Sequence, residues 1–144
     1  MINYERFSGI PGLAWAAALF DGEGSLSIYR PRKEHPHICL EMGITMQDLL
    51  PIEVMVFILG GKVEVFEREK RQYRWRFTSQ KAVTPLLMIY PFLTCKKDQA
   101  TVALNFLEWQ RDTNTKTGYT ASQEAEAERY RFLIKRLKEP GVDL

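Results

Sequence analysis

The sequence predicts an α+β domain of order αββαββα, with a four-stranded antiparallel curved sheet and one additional helix towards the C-terminal end. Three observations support this. Apolar and polar side chains alternate with period two in paired segments, the pattern of half-buried hairpin strands. Each pair is preceded by an apolar run of helical length. With 144 residues and 45% hydrophobic content, the chain is long enough for one compact core and short for two. The expectation is therefore a single domain over 1–144, with its core at about 10–110 and a loop and helix over 111–144.

The elements follow in order. Residues 12–20, GLAWAAALF, form an Ala-rich buried helix ending near Asp21, with Pro11 suited to its first turn and Ser8 a possible cap. From Gly24 to Tyr29, Leu26 and Ile28 alternate with Ser25, Ser27 and Tyr29; a charged loop bounded by Pro31 and Pro36 interrupts. Alternation resumes with Ile38, Leu40, Met42 and Ile44 against His37, Cys39, Glu41, Gly43 and Thr45, which completes a hairpin. Residues 48–59, DLLPIEVMVFIL, fit a helix with Pro51 in the opening turn and Gly60 and Gly61 as its stop. A second hairpin runs from Lys62 to about Arg68, then from Tyr73 to Thr78, where Tyr73, Trp75 and Phe77 alternate with Arg74 and Arg76. Helices fit Ala82–Ile89 and, after a break at Pro91, Asp98–Trp109. Residues 111–119 read as a loop. Thr120 and Gln123 have capping-box spacing, and Tyr130, Leu133, Ile134 and Leu137 share one face of the run that follows.

Bulk charge is a weak guide, because the formal net charge is only +2. Its distribution says more. Between Lys62 and Lys81 there are seven Lys or Arg against three Glu, whereas residues 1–23 hold Glu5, Asp21 and Glu23 against Arg6. Cys39 and Cys95 have neither CxxC spacing nor a Cys/His partner pattern, so reduced thiols are expected rather than a disulfide framework or a zinc site. There is no basic leader followed by an apolar run, and no stretch near the ~20 apolar residues that span a bilayer. An intracellular protein with no membrane association is expected.

The chemistry concentrates in AAALFDGEG, Ala16–Gly24, which sets two carboxylates at the exit of a helix built from small side chains. Gly12, Ala16, Ala17 and Ala18 would let two such helices approach closely and bring their acidic ends together. Hard divalent ions take oxygen ligands, and a pair of them can assist both the attacking and the leaving oxygen of a phosphodiester. Taken alone, the same segment also fits a helix that simply ends in a turn.

The segment resembles the signature of the LAGLIDADG homing endonucleases, which ends in an acidic, small, acidic, Gly pattern. Asp21, Gly22, Glu23 and Gly24 follow that pattern; Ala16 stands for the first Leu of the signature and Glu23 for its last Asp. A second match, Pro91, Phe92, Leu93, Lys96 and Gln99, is similar to a P-F-L-x-x-K-x-x-Q stretch in the family. Together with the two hairpins in the expected order, the resemblance covers roughly 10–110. It implies a homodimeric, site-specific double-stranded DNA endonuclease using Mg²⁺ or Mn²⁺, with Ca²⁺ a non-cleaving substitute and no small-molecule cofactor. It implies Glu23, with Gly22, at the metal, Asp21 as a structural residue and Lys96 as the basic residue near the scissile phosphates. Family members often carry Gln at the end of the second strand; Met46 aligns there, and Gln47 beside it is the candidate for positioning water.

The expected dimer interface is Gly12, Ala16, Ala17, Leu19 and Phe20. A β-ribbon laid in the major groove positions itself on phosphates and specifies through base edges. The expected DNA-binding residues are Ser25, Ser27 and Tyr29; Arg30, Arg32 and Lys33; His37, Cys39 and Glu41; and Arg68, Arg74 and Arg76. Trp75 belongs in the core on this reading. Two subunits imply a pseudo-palindromic target of about 20 base pairs. Two other classes remain: an RNA-splicing maturase or cleavage-deficient DNA binder on the same fold, and a structural domain with a metabolic partner.

Overall fold

The computed structural model describes residues 3–113 and 118–139. Helix α1 spans Gly9–Glu23, strands β1 and β2 span Gly24–Tyr29 and Cys39–Met46, and α2 spans Leu49–Leu59. Strands β3, Glu64–Glu67, and β4, Arg71–Thr78, lead through a 3-10 turn to α3, Val83–Ile89. A second such turn, Tyr90–Phe92, precedes α4, Lys97–Asp112, and α5 covers Ala121–Leu137. The order is the one the alternation predicts. Among the described residues, no helix is long and apolar enough to cross a membrane.

Helix α1 runs past its expected end because it passes into β1 with no intervening loop. The N–H of Gly24, the first strand residue, still donates to the carbonyl of Phe20. That junction requires glycine, since a Cβ at position 24 would lie 2.4 Å from the Phe20 ring. At the other end, a Cβ on Gly12 would lie 1.6 Å from the Phe7 carbonyl oxygen. Ser8 occupies the cap position, but its side chain makes no capping bond. The reciprocal bonds between Thr120 and Gln123 are both present at the start of α5, at 2.9 and 3.2 Å. Helix α4 extends into the expected 111–119 loop, of which residues 114–117 lie outside the described residues.

The strands form one antiparallel sheet in the order β1-β2-β4-β3. Pairings such as Leu26 with Met42 and Ile44 with Trp75 align the apolar residues of neighbouring strands on one face. That face is closed: Leu26, Leu40, Met42 and Trp75 have no solvent exposure. They pack with Ala16, Ala17 and Phe20 of α1, Ile52 and Met55 of α2, Leu86 of α3, Phe106 of α4 and Ile134 of α5. Trp75 is a core residue, and its indole N–H donates to the Gly60 carbonyl at 2.9 Å. With all five helices on the apolar side, the sheet's polar face is left for a partner.

Candidate functional site

The end of α1 is tied to the segment before α4. The Asp21 carboxylate accepts the backbone N–H of Thr94 at 2.8 Å and that of Lys96 at 2.9 Å. The Lys96 ammonium donates to the Asp21 carbonyl at 2.7 Å, which suits a cation at the negative end of a helix. Two segments some seventy residues apart in sequence thus meet through one aspartate.

Glu23, the last residue of α1, is exposed, and its carboxylate makes no ion pair or hydrogen bond among the described residues. A helix end also presents carbonyls without intrahelical partners. Hard oxygen donors of this kind suit a divalent cation of the Mg²⁺ or Ca²⁺ type, which takes six or more of them. Among the described residues, no group of three or more His, Cys, Asp or Glu converges to hold a metal. Glu23 and Gly22 therefore fit part of a coordination shell, and the remaining ligands must come from outside this chain.

The polar face of the sheet carries the side chains expected there. Ser25, Ser27 and Tyr29 alternate with buried Leu26 and Ile28, and Cys39 and Glu41 with buried Leu40 and Met42. Arg74 and Arg76 lie on the same face of β4, opposite Thr45 and Gly43. Their charges are paired. Glu64 of β3 accepts from Arg76 Nε at 2.9 Å and from Arg74 Nη2 at 3.2 Å. Arg76 Nη1 also reaches Glu41 at 3.5 Å, and Glu41 accepts the Tyr29 hydroxyl at 3.1 Å. The Arg74 guanidinium sits 4.4 Å from the centre of the Phe66 ring. Burial works to raise the Glu64 carboxyl, but its hydrogen bonds and proximity to Arg74 and Arg76 hold it below the usual carboxylate range. Burial and then the Glu41 charge push the Tyr29 hydroxyl up.

Several expected site residues are placed otherwise. Ala16, Ala17 and Phe20 are fully buried within the chain, Gly12 is also buried, and Leu19 is half-buried. The cause is that α1 uses its small residues to approach its own sheet and neighbouring helices, so this face cannot also meet a partner. The exposed stripe of α1 is instead Ile10, Ala14, Ala18 and Gly22, with Ile10 68% exposed. The Arg30 guanidinium is occupied internally by the Glu124 carboxylate and the His35 carbonyl, which makes it a brace to α5. His37 is half-buried, its ring edge-on to Tyr119 at 5.0 Å, so it faces α5's approach rather than open groove. Gln47 is exposed in a surface depression with Arg68, Glu69, Lys70 and Gln72, which neither Glu23 nor Lys96 lines. Met46, on the core face, pairs with Tyr73. Arg32, Lys33 and Arg68 are exposed and free of ion pairs among the described residues.

Lys138 was not singled out by sequence, where it closes a charged amphipathic helix. Its ammonium lies 3.5 Å from Ser27 Oγ, and desolvation, then the charges of Lys96 and Lys135, hold it below the usual lysine range. The end of α5 thus adds cations beside Lys96 at the edge of the polar face. Glu64 and Phe66 were also missed; period two on β3 would have put both on the face of Arg74.

No family sequence profile matches the chain, and no curated protein matches it in sequence. Solved structures do match. The homing endonuclease I-CvuI, in complex with the I-CreI target in the presence of Mg, aligns with TM-score 0.72 and 18% identity over 92% of this chain and 85% of that one. The archaeal intron-encoded homing endonuclease I-Vdi141I, complexed with DNA, aligns with TM-score 0.71 and 13% identity over 91% and 86%. The LAGLIDADG homing endonuclease I-GzeII, in complex with its DNA target, aligns with TM-score 0.61 and 16% identity over 91% of this chain but 46% of its own. The arrangement of two hairpins, five helices and an acidic helix end is the LAGLIDADG homing endonuclease fold.

Proposed function

We propose that the protein is a site-specific double-stranded DNA endonuclease that acts as a homodimer with divalent metal ions. The observation that carries this reading is the end of α1, where Glu23 is exposed and unpaired among the described residues and Lys96 is fastened to the same helix end by Asp21. Glu23 and the Gly22 carbonyl would hold the ion, which when bound polarises the phosphodiester and its attacking water. Lys96 stabilises negative charge developing on the phosphate, and Asp21 fixes where that ammonium stands. Arg32, Lys33, Arg68 and the Lys135/Lys138 pair bind flanking phosphates, and β1, β2 and β4 read base edges.

A second copy supplies the ligands that one chain lacks. The exposed stripe of Ile10, Ala14, Ala18 and Gly22 suits a two-fold helix contact, in which equivalent residues meet. This chain spans 46% of I-GzeII and 48% of I-SmaMI, the proportion expected if two such units act together on DNA. Strands of eight residues extend about 26 Å at ~3.3 Å each, or roughly eight base pairs per half-site. A target of about 20 base pairs follows with a central gap.

Incubating a pool of random duplexes with Mg²⁺ and sequencing both cut and retained molecules tests the reading. Cleavage at a two-fold symmetric site supports it. Retention without cleavage leaves a DNA-binding protein, and recovery of no duplex rejects the nucleic-acid reading.

A further inference from the structure

We propose that Glu64 is a specificity-determining positioning residue: by clamping Arg74 and Arg76 into a cluster that, with Glu41, carries no net charge, it makes them read bases instead of gripping phosphates. The inference rests on the DNA-binding reading above and concerns which part of DNA each arginine meets.

All four strands contribute to the cluster: Tyr29 from β1, Glu41 from β2, Glu64 from β3, and Arg74 and Arg76 from β4. Glu64 pairs directly across from Arg74 in the sheet and is, among the described residues, the one that forms ion pairs with both arginines. The four charged side chains are between 23% and 35% exposed, so they are reachable from the groove yet packed against one another. Two guanidinium groups and two carboxylates leave no net charge. The other cations around this face differ. Lys62, Arg68 and Lys70 are exposed and make no ion pairs among the described residues.

An unpaired arginine near a duplex gains most by neutralising a phosphate and releasing its counterion, whatever the sequence. Pairing removes that monopole and leaves directional donors. Of the five N–H groups of Arg76, the Nε bond to Glu64 and one Nη1 bond to Glu41 leave three, one on Nη1 and two on Nη2. Two of these, one on each Nη, have the fork geometry that meets O6 and N7 of guanine. Arg74 is held by Glu64 from one side and by the Phe66 ring beneath it. Fixing both planes in advance lowers the ordering cost that a flexible side chain meets on binding. Part-exposed ion pairs add little to folding, so stability alone does not account for a carboxylate shared between two arginines.

The test compares the full-length protein with Glu64→Gln, which keeps the shape and removes the charge, and with the double variant Glu64→Gln/Arg76→Gln, which restores neutrality without the reader. Site selection from random duplexes gives base preference, and affinity for a fixed non-target duplex over a salt series gives the number of phosphates neutralised. Glu64→Gln should bind the non-target duplex more tightly, with a log–log salt slope steeper by about 1. Its preference at the base pairs under β4 should fall about 10-fold or more, the order of one bidentate base contact. The double variant should return to the native slope with the preference still lost. A selective native protein whose Glu64→Gln variant keeps both slope and preference overturns the inference while leaving the DNA-binding reading intact. Weaker binding of every sequence at an unchanged slope overturns it too, since that marks a structural role. A native protein that selects no duplex overturns both readings.

Discussion

The polar face of the sheet and the end of α1 handle charge in opposite ways. On the sheet, Arg74, Arg76, Glu41 and Glu64 are paired with one another, although Arg74 Nε is buried without a hydrogen-bond partner among the described residues. At the helix end, Asp21 is satisfied by two backbone N–H groups while Glu23, two residues on, makes no ion pair or hydrogen bond within the described residues. Ion pairing holds the remaining donors of that cluster in one arrangement. An unsatisfied carboxylate at a helix's negative end is instead held ready for a cation. On the proposed reading the contrast separates recognition from chemistry, and it can be broken in measurable ways.

The largest effect should come from removing the unpaired charge. Glu23→Gln is expected to bring strand cleavage to background while target affinity in Ca²⁺ stays within a few-fold, because the groove contacts are untouched. Native-like cleavage by that variant would erase the distinction between the two regions. Lys96→Met should slow single-turnover cleavage by ~10²–10³, the usual cost of deleting one electrostatic donor at a reacting centre. An unchanged rate would place Lys96 among the structural residues with Asp21.

Two alanines sharpen the comparison at the level of assembly. Ala18→Glu, on the exposed stripe, should convert a dimer to a monomer by light scattering with little change in unfolding midpoint. Ala16→Leu should instead destabilise the fold by about 1–3 kcal/mol through overpacking, whatever the protein concentration. The reverse pattern would return the interface to the buried face.

The smallest effect concerns acid. Because the folded-state carboxyl of Glu64 lies below the ordinary range, its stabilisation is fully present above the unfolded Glu pKa and disappears as pH falls through the lowered value. The difference in unfolding free energy between the native protein and Glu64→Gln should be at most about 1 kcal/mol at pH 7 and vanish in acid. A difference that grows on acidification would contradict the pairing.

Strand faces were legible in the sequence because period two ties every residue's direction to its neighbours', and Leu26, Ile28, Leu40, Met42 and Trp75 all fell on the core side. The face of α1 was not. Ala14, Ala16, Ala17 and Ala18 offer the same side chain to the core and to solvent, so no apolar stripe marks which way the helix faces. Contacts made across long separations were equally hidden. Nothing near Asp21 indicates that its carboxylate holds the segment before α4, and nothing near Arg30 indicates Glu124, 94 residues later. Lys96 could be singled out because a motif surrounds it; Lys138, brought beside it by the packing of α5, has no such context.

The loop-free passage from α1 into β1 has a mechanical consequence. Glu23 ends the helix, Gly24 begins the strand, and Ser25 already lies on the polar face, so on the proposed reading the acid and the first reading residue are joined with no loop between them. If two helices cross at a fixed angle, the rotational phase between the half-sites is fixed along with them. Adding one base pair at the centre of the target shifts one half-site by about 3.4 Å and turns it by about a tenth of a helical turn. A loop-free junction leaves little slack for that turn, so on the proposed reading the spacing between half-sites should itself be selected, and a target lengthened by one central base pair should be cut less well.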